Sequence, residues 1–381
     1  MEDYQIIKIE NHNFYLKDEN QTLDYKNNKK MENLKLEYIE YFDYIRIISS
    51  FGVILIHVSA QNWYSTLPGQ YEWEVFNFYD HIVRWSVPEF YMISGALFLS
   101  KQKTIKKIFK KNIMKIGISY IFWSLVYCIK DKIIYNLTLK KFILKFIIGH
   151  YHLWFLFTIN AIYLIIPALF LIVQNKLIFE YILVLSFIYI FILRNIILYS
   201  KYFIDNDIIN IIIQINGRFN NILLNANSFY FIFGYYLNNI NIKNKIFSII
   251  IYIFGIFGTF LGAKLSSFIS NKQKKRIGDF LTYESFHVLI QSIAIFIFFK
   301  NNFYNLRINK KYKKIIKKIG KSTFGIYLIH PLLIEELDRN FKFNSLSLNP
   351  IYNVIFLTSI IFFISLILMI FLYRTPLKIF I

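Results

Sequence analysis

A single cysteine, Cys128, is all the thiol this chain carries, which excludes an internal disulfide and a cysteine-based metal cluster. It lies inside an apolar run and is expected to pack as a small hydrophobe. The sequence has no glycine-rich phosphate loop, no Gly-x-Ser-x-Gly and no His-x4-Asp, so the common soluble nucleotide-binding and acyl-transfer designs have no foothold. It also lacks His-Glu-x-x-His, and His150 and His152, two residues apart, would face different sides of a helix, so no metal site is expected. Acidic residues are scarce, with 23 Asp and Glu against 44 Lys and Arg and a formal net charge of +21. That balance would suggest nucleic acid if the cations formed one face of a soluble domain. Here they sit between apolar runs, which points to membrane lipid and excludes nucleic acid as the partner. Residues 1–40 lack the apolar core and small-residue cleavage site of a secretory signal and read as a polar, partly disordered cytosolic tail. Within it 27–30 is expected to be flexible, and Tyr38 to Asp43 to form a short interfacial helix.

What is abundant is apolar. Hydrophobic residues make up 56% of the 381, aromatics 20%, with only 13 Gly and 6 Pro and a mean hydropathy of +0.42. The apolar residues fall in runs of about 17 to 25, the length a helix needs to cross a bilayer. The fold expected for 41–381 is therefore all-α, a polytopic bundle of about ten transmembrane helices near 44–60, 82–99, 113–130, 152–173, 177–199, 222–239, 246–268, 280–299, 323–338 and 351–373. The segments 140–149 and 202–215 are apolar but short or interrupted, and read as interfacial or re-entrant helices. With the N-terminus inside, about 28 of the 44 Lys and Arg fall on cytosolic segments, which favours both termini in the cytosol. The clusters 101–111 and 310–321 then face the cytosol, where they attract anionic lipid or an anionic cosubstrate, while the basic run Lys272 to Arg276 goes against this orientation.

Charged and histidine side chains within apolar spans are costly, so they are the first candidates for function. In the first span, Arg46 and His57 are eleven residues apart, which at 100° per residue comes within about 20° of three full turns and puts them on one face. Their axial separation of about 16 Å is comparable to an extended pantetheine arm. Arginine offers a permanent charge and a fork for phosphate, and histidine a base near neutral pH. Asp43, one turn before Arg46, is positioned to orient the guanidinium. The competing reading is that Arg46 snorkels to the headgroups and His57 bonds a neighbouring helix.

Five ordered motifs carry a family resemblance: Tyr41-Phe-Asp-Tyr-Ile-Arg46 with His57; Arg84-Trp-Ser-Val-Pro88-Glu-Phe-Tyr-Met-Ile-Ser94-Gly95; His152-Leu-Trp154-Phe-Leu; Phe233-Gly-Tyr-Tyr; and Phe324-Gly-Ile-Tyr327-Leu-Ile-His330-Pro331. Over about residues 38–378 the chain resembles the membrane acyltransferase 3 family, in particular its branch that O-acetylates surface polysaccharides. The resemblance implies a ten-helix enzyme of a bacterial cytoplasmic membrane. It would take acetyl-CoA as cosubstrate, with no bound cofactor, and acetylate a cell-surface or lipid-linked glycan. On this basis His57 is the catalytic base and Arg46 a donor-binding or positioning group. His57 would either deprotonate the acceptor hydroxyl or carry the acetyl group itself. Two features depart from the family pattern. Glu89 stands where relatives have an apolar residue. In the third span a pair of basic residues three apart is replaced by Asn112 and Lys115, and Ser119-Tyr120 lacks the usual preceding proline; Lys111 or Lys115 would have to serve the donor instead.

Other candidates follow from position. Arg84, at the outer end of the second span, suits a sugar or a charged reacting oxygen. Pro88 is expected to kink that span, Ser94-Gly95 to permit close helix approach, and Glu89 to pair with Arg84 or line a wet cavity. His152 and Trp154 suit an interfacial anchor or a sugar-stacking surface. Tyr327 and His330 share a face at i, i+3, as do Glu284 and His287. The main alternative is a membrane transporter or flippase for a glycan or small anionic solute, since intramembrane charges also line translocation paths. Another is a membrane acyltransferase of a different class acting on protein or lipid.

Overall fold

A computed structural model describes residues 40–204, 225–242, 244–304 and 308–381, together with 207, 211, 212, 214, 215 and 306. The tail 1–39, part of the expected 202–215 helix and the start of the expected 222–239 span lie outside the described residues.

Among the described residues the regular structure is entirely helical. The helices are α1 Glu40–Ala60, α2 Tyr71–Val83, α3 Ser86–Phe98, α4 Ile105–Tyr135, α5 Leu139–Ile148, α6 Trp154–Leu164, α7 Ile166–Gln174, α8 Lys176–Ser200, α9 Ala226–Asn239, α10 Lys245–Gln273, α11 Phe286–Phe303, α12 Lys310–Phe341 and α13 Pro350–Leu372. Seven helical stretches are long and apolar enough to cross a bilayer: α1, α4, Leu139–Leu164, α8, α10, Asp279–Phe303 and α13. The others expected to span differ for identifiable reasons. The run 82–99 is broken at Arg84-Trp85 into α2 and α3. Pro88 therefore sits in the first turn of α3, where its missing N–H costs no helical bond, and it does not kink a long helix. The run 152–173 is divided at Ile165, just before Pro167. The last basic cluster is not a loop: it forms the first turns of α12, whose 32 residues are too polar overall to read as a span. Glu40 to Asp43 belong to α1 itself and do not form a separate interfacial helix.

Burial distinguishes the centre of the bundle from its surroundings. In α1, 67% of the apolar window is inside protein, against 28% for α4, α8 and α10, which present apolar side chains outward to lipid. α1 packs against α2, α3, α11, α12 and α13. The tightest pairing is α3 against α9, and two glycines permit it. A Cβ on Gly95 would overlap the Phe231 carbonyl, and one on Gly234 the Met92 backbone, so the two helices touch main chain to main chain. Lys300 of α11 donates to the carbonyls of Leu237, Asn238 and Ile240, neutralising the end of α9 that this packing brings inward.

The stretch 139–164 is interrupted at Gly149, whose φ of 79° lies in the left-handed region, and by a 3₁₀ turn over Tyr151–Leu153. Irregular backbone at membrane depth needs partners. The last carbonyls of α5 find them on α4: Ser124 Oγ donates to Phe146 O at 2.6 Å and the Tyr120 hydroxyl to Ile147 O at 2.7 Å. Pro331 stands inside α12, which continues through it, and removes one helical N–H. There the Tyr127 hydroxyl donates to Leu328 O at 2.9 Å and accepts the Leu332 N–H at 3.3 Å, bridging the turn that Pro331 opens.

Candidate active site

Three helices lie side by side in the same direction. α12 meets α1 first at Gly320, where an added Cβ would stand 2.7 Å from Asp43 Oδ1, and again further along, where the His330 and His57 rings are 5.1 Å apart. α4 follows α12 from Lys115, whose ammonium is 5.7 Å from the centre of the Phe324 ring, to Tyr127 against Leu328. Asp43, Arg46, Lys115 and Lys321 therefore gather toward one end of the three helices, and His57, Tyr127 and His330 toward the other.

Between them lies a cavity of about 480 Å³, lined by Arg46, His57, Arg84, Lys111, Asn112, Lys115, His152, Trp154, Lys321 and Tyr327 among others. Arg46 and His57 thus share a cavity as well as a helix face. A π turn over Phe109–Ile113 leads into the part of α4 that brings Lys111, Asn112 and Lys115 to the wall. Among the described residues the lining carries five cations, Arg46, Arg84, Lys111, Lys115 and Lys321, and no carboxylate.

The expected site residues outside the lining support those within it. Asp43 is buried behind Arg46 and holds Nη1 at 2.7 Å. His330 is buried behind His57, and its Nδ1–H donates to Ile326 O at 3.1 Å, which leaves Nε2 as a lone pair. Within the lining, Tyr327 donates its hydroxyl to the backbone carbonyl of His152, tying α12 to the 3₁₀ turn.

Three expectations need correction. Glu89 does not pair with Arg84. It is fully buried, it is absent from the cavity wall, and neither carboxylate oxygen meets a hydrogen-bond partner among the described residues. Arg84 instead pairs with Asp80 at 3.0 Å, one turn earlier on α2, and donates through Nε to Leu281 O. Glu284 and His287 do not act as a pair either, because Glu284 precedes the regular turns of α11 and holds Arg194 at 2.7 Å while His287 stacks on His81 at 5.4 Å. His150 and His152 do not face apart: on a 3₁₀ turn, not an α-helix, their Nδ1 atoms come within 2.9 Å.

Sequence reading also missed residues. Tyr283 lines the cavity, 5.6 Å below the Arg84 guanidinium and stacked at 5.9 Å on Trp154, and no local motif marks it. Asp80 was detectable in principle, as an acid four residues before Arg84 on one helix.

The comparisons with known proteins bear directly on this cavity. A family model described as an acyltransferase domain matches residues 39–374, nearly the whole described region. The chain belongs to this acyltransferase family. No curated protein and no solved structure matches it. For a membrane acyltransferase the wall has a legible division: fixed cations that attract an anionic group at one end, and at the other an imidazole partly exposed to the same space. Among the described residues no group of three or more His, Cys, Asp and Glu could hold a metal ion.

Proposed function

We propose that this acyltransferase moves an acetyl group from acetyl-CoA to a hydroxyl of a cell-surface or lipid-linked glycan, the activity of the polysaccharide O-acetylating branch of its family. The observation that supports it most is the single cavity shared by Arg46, three lysines and His57 without a lining carboxylate. An anionic donor with a long flexible arm suits that wall: its phosphates meet Arg46, Lys111, Lys115 and Lys321, and its thioester reaches His57. Asp43 fixes the Arg46 fork, so less freedom is lost when phosphate binds.

In the reaction His57 takes the proton of the acceptor hydroxyl as its oxygen attacks the thioester carbonyl. A C–O bond forms, the C–S bond breaks, and the leaving thiolate of coenzyme A receives the proton from the imidazolium. Arg84, held by Asp80 and the Leu281 carbonyl, supplies positive charge for the oxyanion at the reacting carbonyl. His330, in ring contact with His57, sets its orientation. Both termini face the cytosol of a bacterial cell in this reading, so the donor enters beside the lysine-rich starts of α4 and α12 and the glycan approaches from the opposite face.

Mass spectrometry of the cell-surface glycan from producing cells and from cells lacking the protein tests the reading. The expected result is a mass increase of one acetyl group per modified sugar that depends on the protein. Glycans of identical mass from both cells would remove the proposal.

A further inference from the structure

A second cavity, of about 440 Å³, lies on the far side of the His150–His152 turn from the first. Its wall includes Asp131 and Tyr135 of α4, Lys145 of α5, His150 and Tyr151 of the turn, and Glu335 of α12. We infer that this cavity holds the acceptor: a neutral, hydroxyl-rich sugar unit whose reacting oxygen passes Tyr151 to reach His57. The inference rests on the acyl-transfer reading and adds to it where the second substrate sits.

The two cavities have opposite electrostatics. The first presents five fixed cations and no carboxylate; the second presents two carboxylates and one lysine. A polyphosphate is attracted to the former and repelled by the carboxylates of the latter, so one anionic donor would not occupy both. The second wall is instead held in a network. Lys145 meets Asp131 at 2.5 Å, Lys130 reaches both Asp131 and Glu335, and Glu335 Oε1 meets His150 Nε2 at 2.9 Å. Carboxylates fixed in this way keep further lone pairs for sugar hydroxyls, and exposed tyrosine rings offer faces on which a sugar can stack. Tyr135, 66% exposed, and Tyr151, 53% exposed, are two such rings.

The turn between the cavities connects them. The Tyr151 ring lies 5.3 Å from that of His57 and 4.4 Å from that of His150, so the second cavity ends one ring away from the proposed base. The proton positions in the turn follow from its contacts. The Glu335 carboxylate accepts the Nε2–H of His150, so His150 Nδ1 is an acceptor and takes the Nδ1–H of His152 at 2.9 Å. The His152 side chain also lines the first cavity. Glu335 thus lines the acceptor site and is joined through His150 to the turn that separates the two cavities. The acceptor proton still goes to His57 and on to the thiolate, and the network takes no net proton.

The test titrates glycan extracted from the host cell surface into detergent-purified enzyme at saturating acetyl-CoA, following free thiol and acetylated glycan. Glu335→Gln and Asp131→Asn keep side-chain size, and Tyr135→Ala removes an exposed ring. Each is expected to raise the KM for glycan about fivefold or more while leaving the KM for acetyl-CoA within twofold of wild type. Unchanged glycan KM in all three variants, or an equal rise in both KM values, overturns the inference while leaving the acyl-transfer reading in place. Wild-type enzyme that releases no glycan-dependent thiol overturns the reading on which it rests.

Discussion

Replacing His57 by alanine is expected to lower acyl transfer by roughly 10² to 10⁴-fold, the range that removal of a positioned acid–base group typically costs. The effect should be on turnover and not on assembly. His57 is only partly buried and lines a cavity, so its loss opens space next to existing space and breaks no hydrogen bond described for it. Affinity for coenzyme A should stay within a few-fold of wild type, since the cations at the other end of the cavity are untouched. Radiolabel from acetyl-CoA appearing in the glycan, measured in membranes with equal amounts of the two proteins, checks both parts. A variant that transfers at the wild-type rate would show that the imidazole is not the base.

The second large effect is structural. Gly95→Ala or Gly234→Ala should destabilise the protein by roughly 1–3 kcal/mol or more, because an inserted methyl has no room and the α3–α9 backbones must part to admit it. These residues lie outside the cavity wall, but their neighbours do not: Ser94 lines the cavity, and Tyr163 stacks on Phe98 of the same helix at 4.5 Å. Parting α3 from α9 is therefore expected to reduce activity along with stability. Thermal unfolding of the solubilised protein, followed by loss of its monodisperse chromatographic peak, measures it. By contrast Gly117→Ala, inside α4 where a Cβ meets nothing within 4 Å, should not lower the midpoint and serves as the control.

Much of this site was legible in the sequence because its central element is one helix. The Arg46–His57 spacing needs only helical geometry to put both on one face, and α1 is an uninterrupted helix from Glu40 to Ala60. Gly95 could be read as a close-approach residue because a small residue in an apolar span has few other uses, whereas its counterpart Gly234 stood out only as part of a motif. Failures came where the helix period stopped applying. His150 and His152 were read at 100° per residue, but the left-handed Gly149 and the 3₁₀ turn after it bring the two rings together. The break at Arg84-Trp85 had a similar effect, turning an expected kinked span into two helices and giving Arg84 to Asp80 in place of Glu89. Glu335 could not be tied to His150 from sequence at all, since the contact joins residues far apart in the chain and depends on α4, α12 and the turn meeting at one point.

The count of spans shows the same limit. Length and hydropathy identify α1, α4, α8, α10, α11 and α13 without difficulty. They do not reveal where short helices pack end to end, as at Ile165 before Pro167, and they understate the length of α12, whose lysine-rich turns continue into an apolar half bearing Tyr327 and His330. Those lysines are also part of the site, since Lys321 lines the cavity.

The account depends most on coenzyme A occupying the space between Arg46 and His57, and titration of coenzyme A into the purified protein in lipid nanodiscs tests that claim directly. Wild type should bind one equivalent, Arg46→Ala should bind about tenfold more weakly or worse through loss of a charged hydrogen bond to phosphate, and His57→Ala should bind nearly as well as wild type. Equal affinity in wild type and Arg46→Ala, or no binding by either, would contradict it.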